Sequence, residues 1–250
     1  SKLKWLLDEV DGARAAARDG HLAFGTSDCW LAWNLTGGVE GGVHITDVSN
    51  ASRTMLYDIH RGCWDADLLD VFDIPESVLP EVVDCAGDFG ALRINGDSNV
   101  RLHGMIGDQQ SALFGQGCHS TGSAKTTFGT GCFLLMNTGE EAAPSEHGLL
   151  TTVAWRIPGG TMTYALEGSV FMGGASIQWL RDGLKIIDSA RAVNDLAASV
   201  DDTEGVVLVP AFAGLGAPDW DAWGRAAIFG LTRGSTDAHV ARATLEGIAM

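Results

Sequence analysis

The chain has 250 residues, 46% of them hydrophobic, and a formal net charge of −16 because 32 acidic residues stand against 16 basic ones. This composition predicts a globular protein with a real core, either one large domain or parts of two, and excludes a disordered chain. The acid excess argues against a nucleic-acid partner, since binding phosphates requires patches of Lys and Arg. No apolar run approaches the ~20 residues of a membrane helix, so membrane insertion is not expected.

The five cysteines are odd in number and widely spaced, and no pair has CxxC spacing. They are expected to be reduced core thiols, which indicates a cytoplasmic location. The seven histidines form no HxxxH or HxH cluster, so a structural zinc site is not expected. We therefore assign no metal ligand within the chain.

The acidic residues are spread along the chain, and only four lysines accompany them. This pattern is typical of proteins adapted to concentrated salt, because 1 M salt shortens the Debye length to roughly 3 Å and screens self-repulsion. A halophilic source is one hypothesis, and an ordinary acidic cytosolic protein is the alternative. Thermal melts in molar KCl and at low salt distinguish them: equal or greater stability at low salt would contradict the halophilic hypothesis.

Apolar periodicity in the first half of the chain predicts short helices and strands separated by glycine or proline. The predicted elements are an N-terminal amphipathic helix that stops at Asp11-Gly12, a strand at 22–26, a helix starting at Ser27-Asp28, a strand at 43–47 and two short helices within 64–79. The polar run 49–54 reads as a turn, although it could equally lie near a ligand. Residues 84–100 have little periodicity and are predicted to form a surface excursion.

The second half has longer apolar segments. The predicted elements are a strand at 101–107, a helix at 109–116 capped by Asp108, a strand pair within 125–137, a hairpin formed by 149–156 and 162–166, a glycine loop at 167–174, helices at 175–184 and 190–200, a buried strand at 205–212 and a helix from residue 237. A helix start beside glycine can receive a phosphate, although most such loops bind nothing. The sequence contains no P-loop, dinucleotide fingerprint or GxSxG elbow, so a nucleotide would have to bind in another way.

Two motifs carry a family resemblance. GDQQSALFGQ at 107–116 and FGTGCFLLMNTG at 128–139 resemble the FGGY carbohydrate kinases, and SVFMGGASIQWLRDGLKII at 169–187 agrees with them. The match runs through the chain in order and implies an α/β fold of the actin-like ATPase (ribonuclease H-like) type, with two domains facing each other across a cleft. It places the later part of the N-terminal substrate domain at 1–107 and the early part of the C-terminal nucleotide domain at 108–250. It also implies that the chain is a fragment.

The resemblance implies phosphorylation of glycerol by ATP, with Mg²⁺ as the second cofactor, and a homo-oligomer is compatible with it. It makes Asp108 the catalytic base and Gln109 a ligand of the polyol hydroxyls. It also places Phe133 against the carbon skeleton of the polyol. Each residue has an ordinary structural alternative, namely a helix cap for Asp108, an exposed helix position for Gln109 and core packing for Phe133.

For the nucleotide, the resemblance implies two sets of glycine-rich contacts. The implied nucleotide-binding residues are Gly129, Thr130, Gly131, Gly173, Gly174 and Gln178. The alternatives are an ordinary β-turn at 129–131 and core packing of the glycines at 173 and 174. Ser52 and Arg53 match a family segment to which we assign no contact. Asp219 stands where an aromatic residue is common in the family.

Three rival interpretations stay open at this stage. Another sugar or polyol kinase of the same family, acting on xylulose or gluconate, would use the same motifs. An actin-like ATPase that acts as a scaffold would keep the hinge without a small-substrate pocket. The 250 residues on their own are expected to be inactive.

Overall fold

A computed structural model of the chain describes residues 2–93 and 99–250. Contacts between Cα atoms divide the chain into two compact units. The first unit comprises Ser1–Ala124, Met136–Pro144 and Thr151–Leu166, and the second comprises Lys125–Leu135, Ser145–Leu150 and Glu167–Met250.

Helices and short strands alternate along the described residues. The α-helices are α1 (Lys2–Glu9), α2 (Ala13–Arg18), α3 (Ser27–Thr36), α4 (Val48–Ala51), α5 (Ala66–Phe72), α6 (Asp108–Gly115), α7 (Gly174–Asp182), α8 (Ala192–Ala198) and α9 (Asp237–Ala249). The strands are β1 (Ile45–Asp47), β2 (Tyr57–Asp58), β3 (Cys63–Trp64), β4 (Glu81–Val83), β5 (Ala124–Phe128), β6 (Cys132–Gly139), β7 (Leu150–Trp155), β8 (Thr163–Val170), β9 (Val207–Val209) and β10 (Ala227–Phe229).

The largest sheet has four strands in the order β5-β6-β8-β7. Its neighbours β5 and β6 confirm the strand pair predicted within 125–137, and β7 and β8 confirm the predicted hairpin. Because β8 runs to Val170, the glycine loop is shorter than predicted. The strand predicted at 205–212 contracts to β9, which pairs antiparallel with β10. In the first unit β1 pairs parallel with β4, with Thr46 opposite Val82.

Each unit has its own apolar core. In the first unit, α1 and α2 pack on a buried cluster made of Leu3, Leu7, Ala17, Leu56, Leu69, Ile74 and Val78. The predicted N-terminal helix is confirmed, but it buries Leu3 and Leu7 and leaves Trp5 62% exposed. In the second unit the cluster joins α7, α8 and α9 and consists of Leu180, Ile187, Val193, Ala197 and Ala241.

Two predicted strands are wrong. Residues 22–26 form no strand, because Phe24 makes single contacts rather than a ladder: its N–H donates to the Val78 carbonyl (2.7 Å), and its own carbonyl lies 2.7 Å from His44 Nε2. Residues 101–107 contain only isolated bridges, at Arg101 and Gly104. Phe24 in the first segment, and Leu102 and Met105 in the second, pack against a core without a neighbouring strand to pair with.

The surface excursion predicted at 84–100 is wrong at two buried positions. Cys85 and Phe89 are only 7% and 8% exposed. Phe89 packs with Ala32, Ile45 and Met105 in a separate small cluster of the first unit. Residues 94–98 belong to the same prediction and lie outside the described residues. Anchoring by one aromatic side chain needs no periodic pattern, so the sequence did not reveal it.

The cysteines are free, with four of them buried and Cys63 exposed. Cys63 therefore departs from the expectation of core thiols. Over the part of the chain that the structure describes, no helix has the length and apolar character needed to cross a membrane.

Candidate active site

The Asp108 carboxylate lies at the start of α6 in the first unit. Gly107 occupies the N-cap position, with φ −60° and ψ 147°, and no side chain caps the helix there. Asp108 is the first helical residue and is exposed, and its Oδ1 accepts the N–H of Gln109 at 2.8 Å. The expectation that Asp108 caps the helix is therefore wrong. An exposed carboxylate at this position can accept a proton from a ligand hydroxyl.

The two glutamines that follow Asp108 have different environments. Gln110 is 3% exposed, and its Nε2 donates to the Val153 carbonyl at 3.3 Å. Gln109 is half-buried. Because Gln110 is buried and Gln109 is only half-buried, Gln109 is the one of the pair that a ligand hydroxyl could reach. Its role as a polyol ligand stays a prediction.

A buried polar network lies behind this helix start. The fully buried Asp47 caps α4, and its carboxylate accepts the N–H groups of Ser49 (2.9 Å) and Asn50 (3.1 Å). Cys85 Sγ donates to the same carboxylate at 2.9 Å. Burial, reinforced by the Asp47 charge, raises the pKa of the Cys85 thiol, so the thiol keeps its proton. Ser49 Oγ accepts the N–H of Gly107 at 2.8 Å, which joins α4 to the residue before Asp108.

Asp47 and Ser49 were not predicted from the sequence as parts of this site. The signal for the cap was present, because an aspartate that ends a strand and precedes Val-Ser-Asn is a good N-cap. The link from Ser49 to Gly107 crosses 58 positions and has no local signal. The neighbouring Ser52 and Arg53, to which we assigned no contact, both reach Thr152 Oγ1, at 3.2 and 3.1 Å.

In the second unit, the turn at 129–131 is bonded to the start of α7. The N–H groups of Gly173 and Ala175 donate to the Thr130 carbonyl, at 2.7 and 3.1 Å. The N–H of Gly174 donates to the Gly129 carbonyl at 2.7 Å. Five of the six predicted nucleotide-binding residues therefore lie together, and the sixth, Gln178, is exposed about one helical turn after Gly174.

Close packing explains three of these glycines. A Cβ atom at Gly131 would overlap the Val170 carbonyl oxygen. One at Gly173 would lie 2.7 Å from Cys132 Sγ, and one at Gly174 would lie 2.7 Å from the Gly129 carbonyl oxygen. The packing alternative therefore holds for Gly173 and Gly174, close packing also accounts for Gly131, and a nucleotide role stays open beside it.

The amides of Gly173 and Gly174 are already donated to backbone carbonyls. A phosphate at this turn would be met instead by the exposed Thr130 hydroxyl and by the Gly129 backbone, where a Cβ atom would find only the Gly131 oxygen, at 3.8 Å. A nucleotide role for this open turn stays a prediction. Phe133 is half-buried on β6, so part of its side chain is accessible, and its role against the polyol stays a prediction.

For Mg²⁺, no group of three or more potential ligands of the His, Cys, Asp or Glu type lies together among residues 2–93 and 99–250. The use of Mg²⁺ as a cofactor stays a prediction.

Both parts of the chain match models of one protein family. The N-terminal domain model of the FGGY family of carbohydrate kinases matches residues 1–115, and the C-terminal domain model matches residues 124–250. The chain belongs to this family, and its fold is the actin-like ATPase fold of the sugar kinases. The domain boundary predicted after residue 107 stays a prediction.

Curated relatives show which members of the family the chain is similar to. The chain is 58% identical over 250 residues to a glycerol kinase of Dechloromonas aromatica and 60% identical over 251 residues to one of Rhodopirellula baltica. Each match covers 100% of this chain but 49% and 46% of the relative, respectively. The chain therefore spans about half the length of the curated relatives it matches.

Solved structures of kinases are similar to this chain. The crystal structure of Plasmodium falciparum glycerol kinase with ADP aligns with a TM-score of 0.86 and 40% identity, covering 99% of this chain and 49% of that one. A ligand-bound xylulose kinase of Lactobacillus acidophilus aligns with a TM-score of 0.72 and 23% identity, covering 88% of this chain and 44% of that one. The second similarity supports the fold alone.

Proposed function

We propose that the whole protein transfers the γ-phosphoryl group of ATP to a terminal hydroxyl of glycerol, giving glycerol 3-phosphate and ADP. The observation that carries this proposal is the exposed Asp108 carboxylate, which begins α6 without capping it, in a chain whose relatives named glycerol kinase match it over its full length. Identity of 56–60% to those relatives favours the same acceptor.

In the proposed reaction, Asp108 accepts the proton of the attacking hydroxyl while that oxygen bonds to the γ-phosphorus. The bond from the γ-phosphorus to the bridging oxygen breaks, and ADP leaves. Gln109 orients a second hydroxyl, and Phe133 packs on the carbon chain. Thr130 and the backbone of the 129–131 turn bind the phosphates. When bound, Mg²⁺ would neutralise charge that develops on the phosphates.

The test is ADP release by the whole protein with ATP, Mg²⁺ and each of three acceptors: glycerol, xylulose and gluconate. We expect ADP release that depends on glycerol, with kcat/KM at least about 10²-fold above that for the other two acceptors, because groups placed to bond one set of hydroxyls discriminate strongly against others. A preference for xylulose or gluconate would assign the protein to another branch of the family. ADP release that ignores all three acceptors would indicate a scaffold ATPase.

A further inference from the structure

The start of α6 is held by a residue from a distant segment. In a capping box, the side chain of the third helical residue returns to bond the N–H of the N-cap residue. In α6 the third helical residue is Gln110, and its amide donates to the Val153 carbonyl at 3.3 Å. The N–H of the N-cap residue Gly107 donates instead to Ser49 Oγ at 2.8 Å.

Ser49 is itself rigidly placed. It is fully buried, and its N–H donates to the Asp47 carboxylate at 2.9 Å. Its carbonyl accepts the Ser52 hydroxyl at 2.7 Å. The Asp47 carboxylate is fixed in turn by Asn50 Nδ2 (2.7 Å) and by the Cys85 thiol (2.9 Å). The Ser49 backbone is therefore bonded on both sides, and its buried hydroxyl oxygen accepts the Gly107 N–H.

The Gly107 carbonyl accepts the N–H of Ser111 at 2.8 Å within α6, and the Gly107 N–H is held by Ser49. Glycine brings no side chain to the N-cap position, and its backbone can adopt more conformations than that of any other residue. Asp108 is bonded directly to Gly107, so a rotation of the Gly107 backbone would move the Asp108 carboxylate. A displacement of about 1 Å in a reacting group can cost about 10²-fold in rate.

We propose that Ser49 is a positioning residue for Asp108: its hydroxyl fixes the Gly107 amide and so directs the carboxylate toward the acceptor hydroxyl. This inference rests on the proposed phosphoryl transfer. It assigns a role in that reaction to a residue that touches neither substrate nor nucleotide.

The test is a double-mutant cycle in the whole protein with Ser49→Ala, Asp108→Asn and both together, with kcat and the KM for glycerol and for ATP measured for each. We expect Ser49→Ala to lower kcat about tenfold with the KM for ATP unchanged. In the presence of Asp108→Asn, the same change should lower kcat by less than twofold, because there is no longer a base to position. A merely structural role would lower kcat by the same factor in both backgrounds.

A matched control is available in the same unit. Thr36 is also a buried hydroxyl residue whose Oγ1 accepts a backbone N–H, that of Val43, at 2.9 Å. Thr36→Ala should lower the melting temperature in the way that Ser49→Ala does and leave kcat within twofold. Ser49→Thr keeps the acceptor oxygen and should keep kcat within about threefold. If Ser49→Ala fails to fold, Ser49→Cys replaces it, since a thiol is a weak acceptor of similar size.

The outcomes separate the two proposals. A wild-type protein without glycerol-dependent ADP release would overturn the proposed function. An active wild type whose Ser49→Ala or Ser49→Cys variant keeps full kcat would overturn the positioning role alone. Equal losses of kcat with and without Asp108→Asn would overturn it too.

Discussion

Helices α6 and α9 both begin at an exposed aspartate, yet their starts are held differently. Asp108 Oδ1 and Asp237 Oδ1 each accept the N–H of the next residue, at 2.8 and 2.9 Å. In α9 the N-cap is Thr236, which forms a capping box with His239, and His239 Nδ1 accepts the Thr236 N–H at 3.1 Å. In α6 no capping box forms, and the N-cap amide is bonded to Ser49 from α4.

The two helix starts show that the N-cap N–H can be bonded either by a residue of its own helix or by a residue from a distant segment. A capping box uses four consecutive residues and stabilises the helix wherever it stands. The start of α6 gains its bond only when α4 is in place, so it ties the position of one segment to another. We infer that the start of α9 serves stability and that the start of α6 serves the placement of Asp108.

The largest predicted effect is a loss of kcat on substitution of Asp108 that substitution of Asp237 does not cause. Asp108→Asn removes the proposed base while keeping the shape and the acceptor oxygen of the side chain. We expect kcat for glycerol phosphorylation by the whole protein to fall at least ~10²-fold, the usual contribution of a general base. Steady-state ADP release measures kcat, and circular dichroism checks that the fold is unchanged.

Asp237→Asn is the matched control, because it makes the same chemical change at the first residue of a helix with the same local hydrogen bond. We expect its kcat to stay within twofold of wild type. A near-wild-type rate for Asp108→Asn, or an equal loss for both variants, would remove the distinction between the two helix starts.

The same contrast explains how far the sequence could predict the structure. The strand pair around 129–131 and the helix beginning at residue 237 follow from periodicity and glycine spacing, and the structure has both. The family motif singled out Asp108. Local rules then made Asp108 a helix cap, because aspartate favours that position, whereas Gly107 occupies it.

The sequence could not predict the support of that helix start. Ser49 lies in a polar run that local rules assign to a turn, and its partner Gly107 is 58 positions away. Likewise, the glycines at 131 and 173 could be read as ligand contacts, while the close approach of Val170 and Cys132 appears only when the chain is folded. Contacts of this kind depend on tertiary packing, which no short window of sequence contains.

The second prediction concerns the buried network behind α6 and its dependence on pH. The pKa of the Cys85 thiol is raised, chiefly by burial and also by Asp47, whereas an unfolded thiol titrates near ~8.5. A raised pKa in the folded state gives stability that is fully present below the unfolded pKa and is lost as the pH rises above it. We expect Cys85 to account for a loss of about 2 kcal/mol in the free energy of unfolding between pH 8 and pH 10.

Urea unfolding at both pH values, in wild type and in Cys85→Ser, measures this contribution. Serine keeps a donor for Asp47 and does not ionise in this range, so the variant should lose about 2 kcal/mol less than wild type over the same interval. The difference between the two proteins is the relevant quantity, because burial also raises the pKa of Cys29, to about 12. Equal alkaline losses in the two proteins would show that the thiol is not held protonated against Asp47.

The smallest predicted effect tests the start of α9. Thr236→Ala removes the side chain that caps α9 and should lower the free energy of unfolding by about 1 kcal/mol, the usual cost of losing such a cap. The Thr236 N–H is a backbone group, so its hydrogen bond to His239 Nδ1 remains after the substitution. Thr236→Ser keeps the cap and should stay within a few tenths of a kcal/mol of wild type.

Because this cap stabilises a helix and positions no reacting group, kcat should stay within twofold of wild type in both variants. A loss of kcat in Thr236→Ala as large as that expected for Ser49→Ala would mean that the two helix starts have the same role, and that the remote bond to Gly107 is only another way to cap a helix.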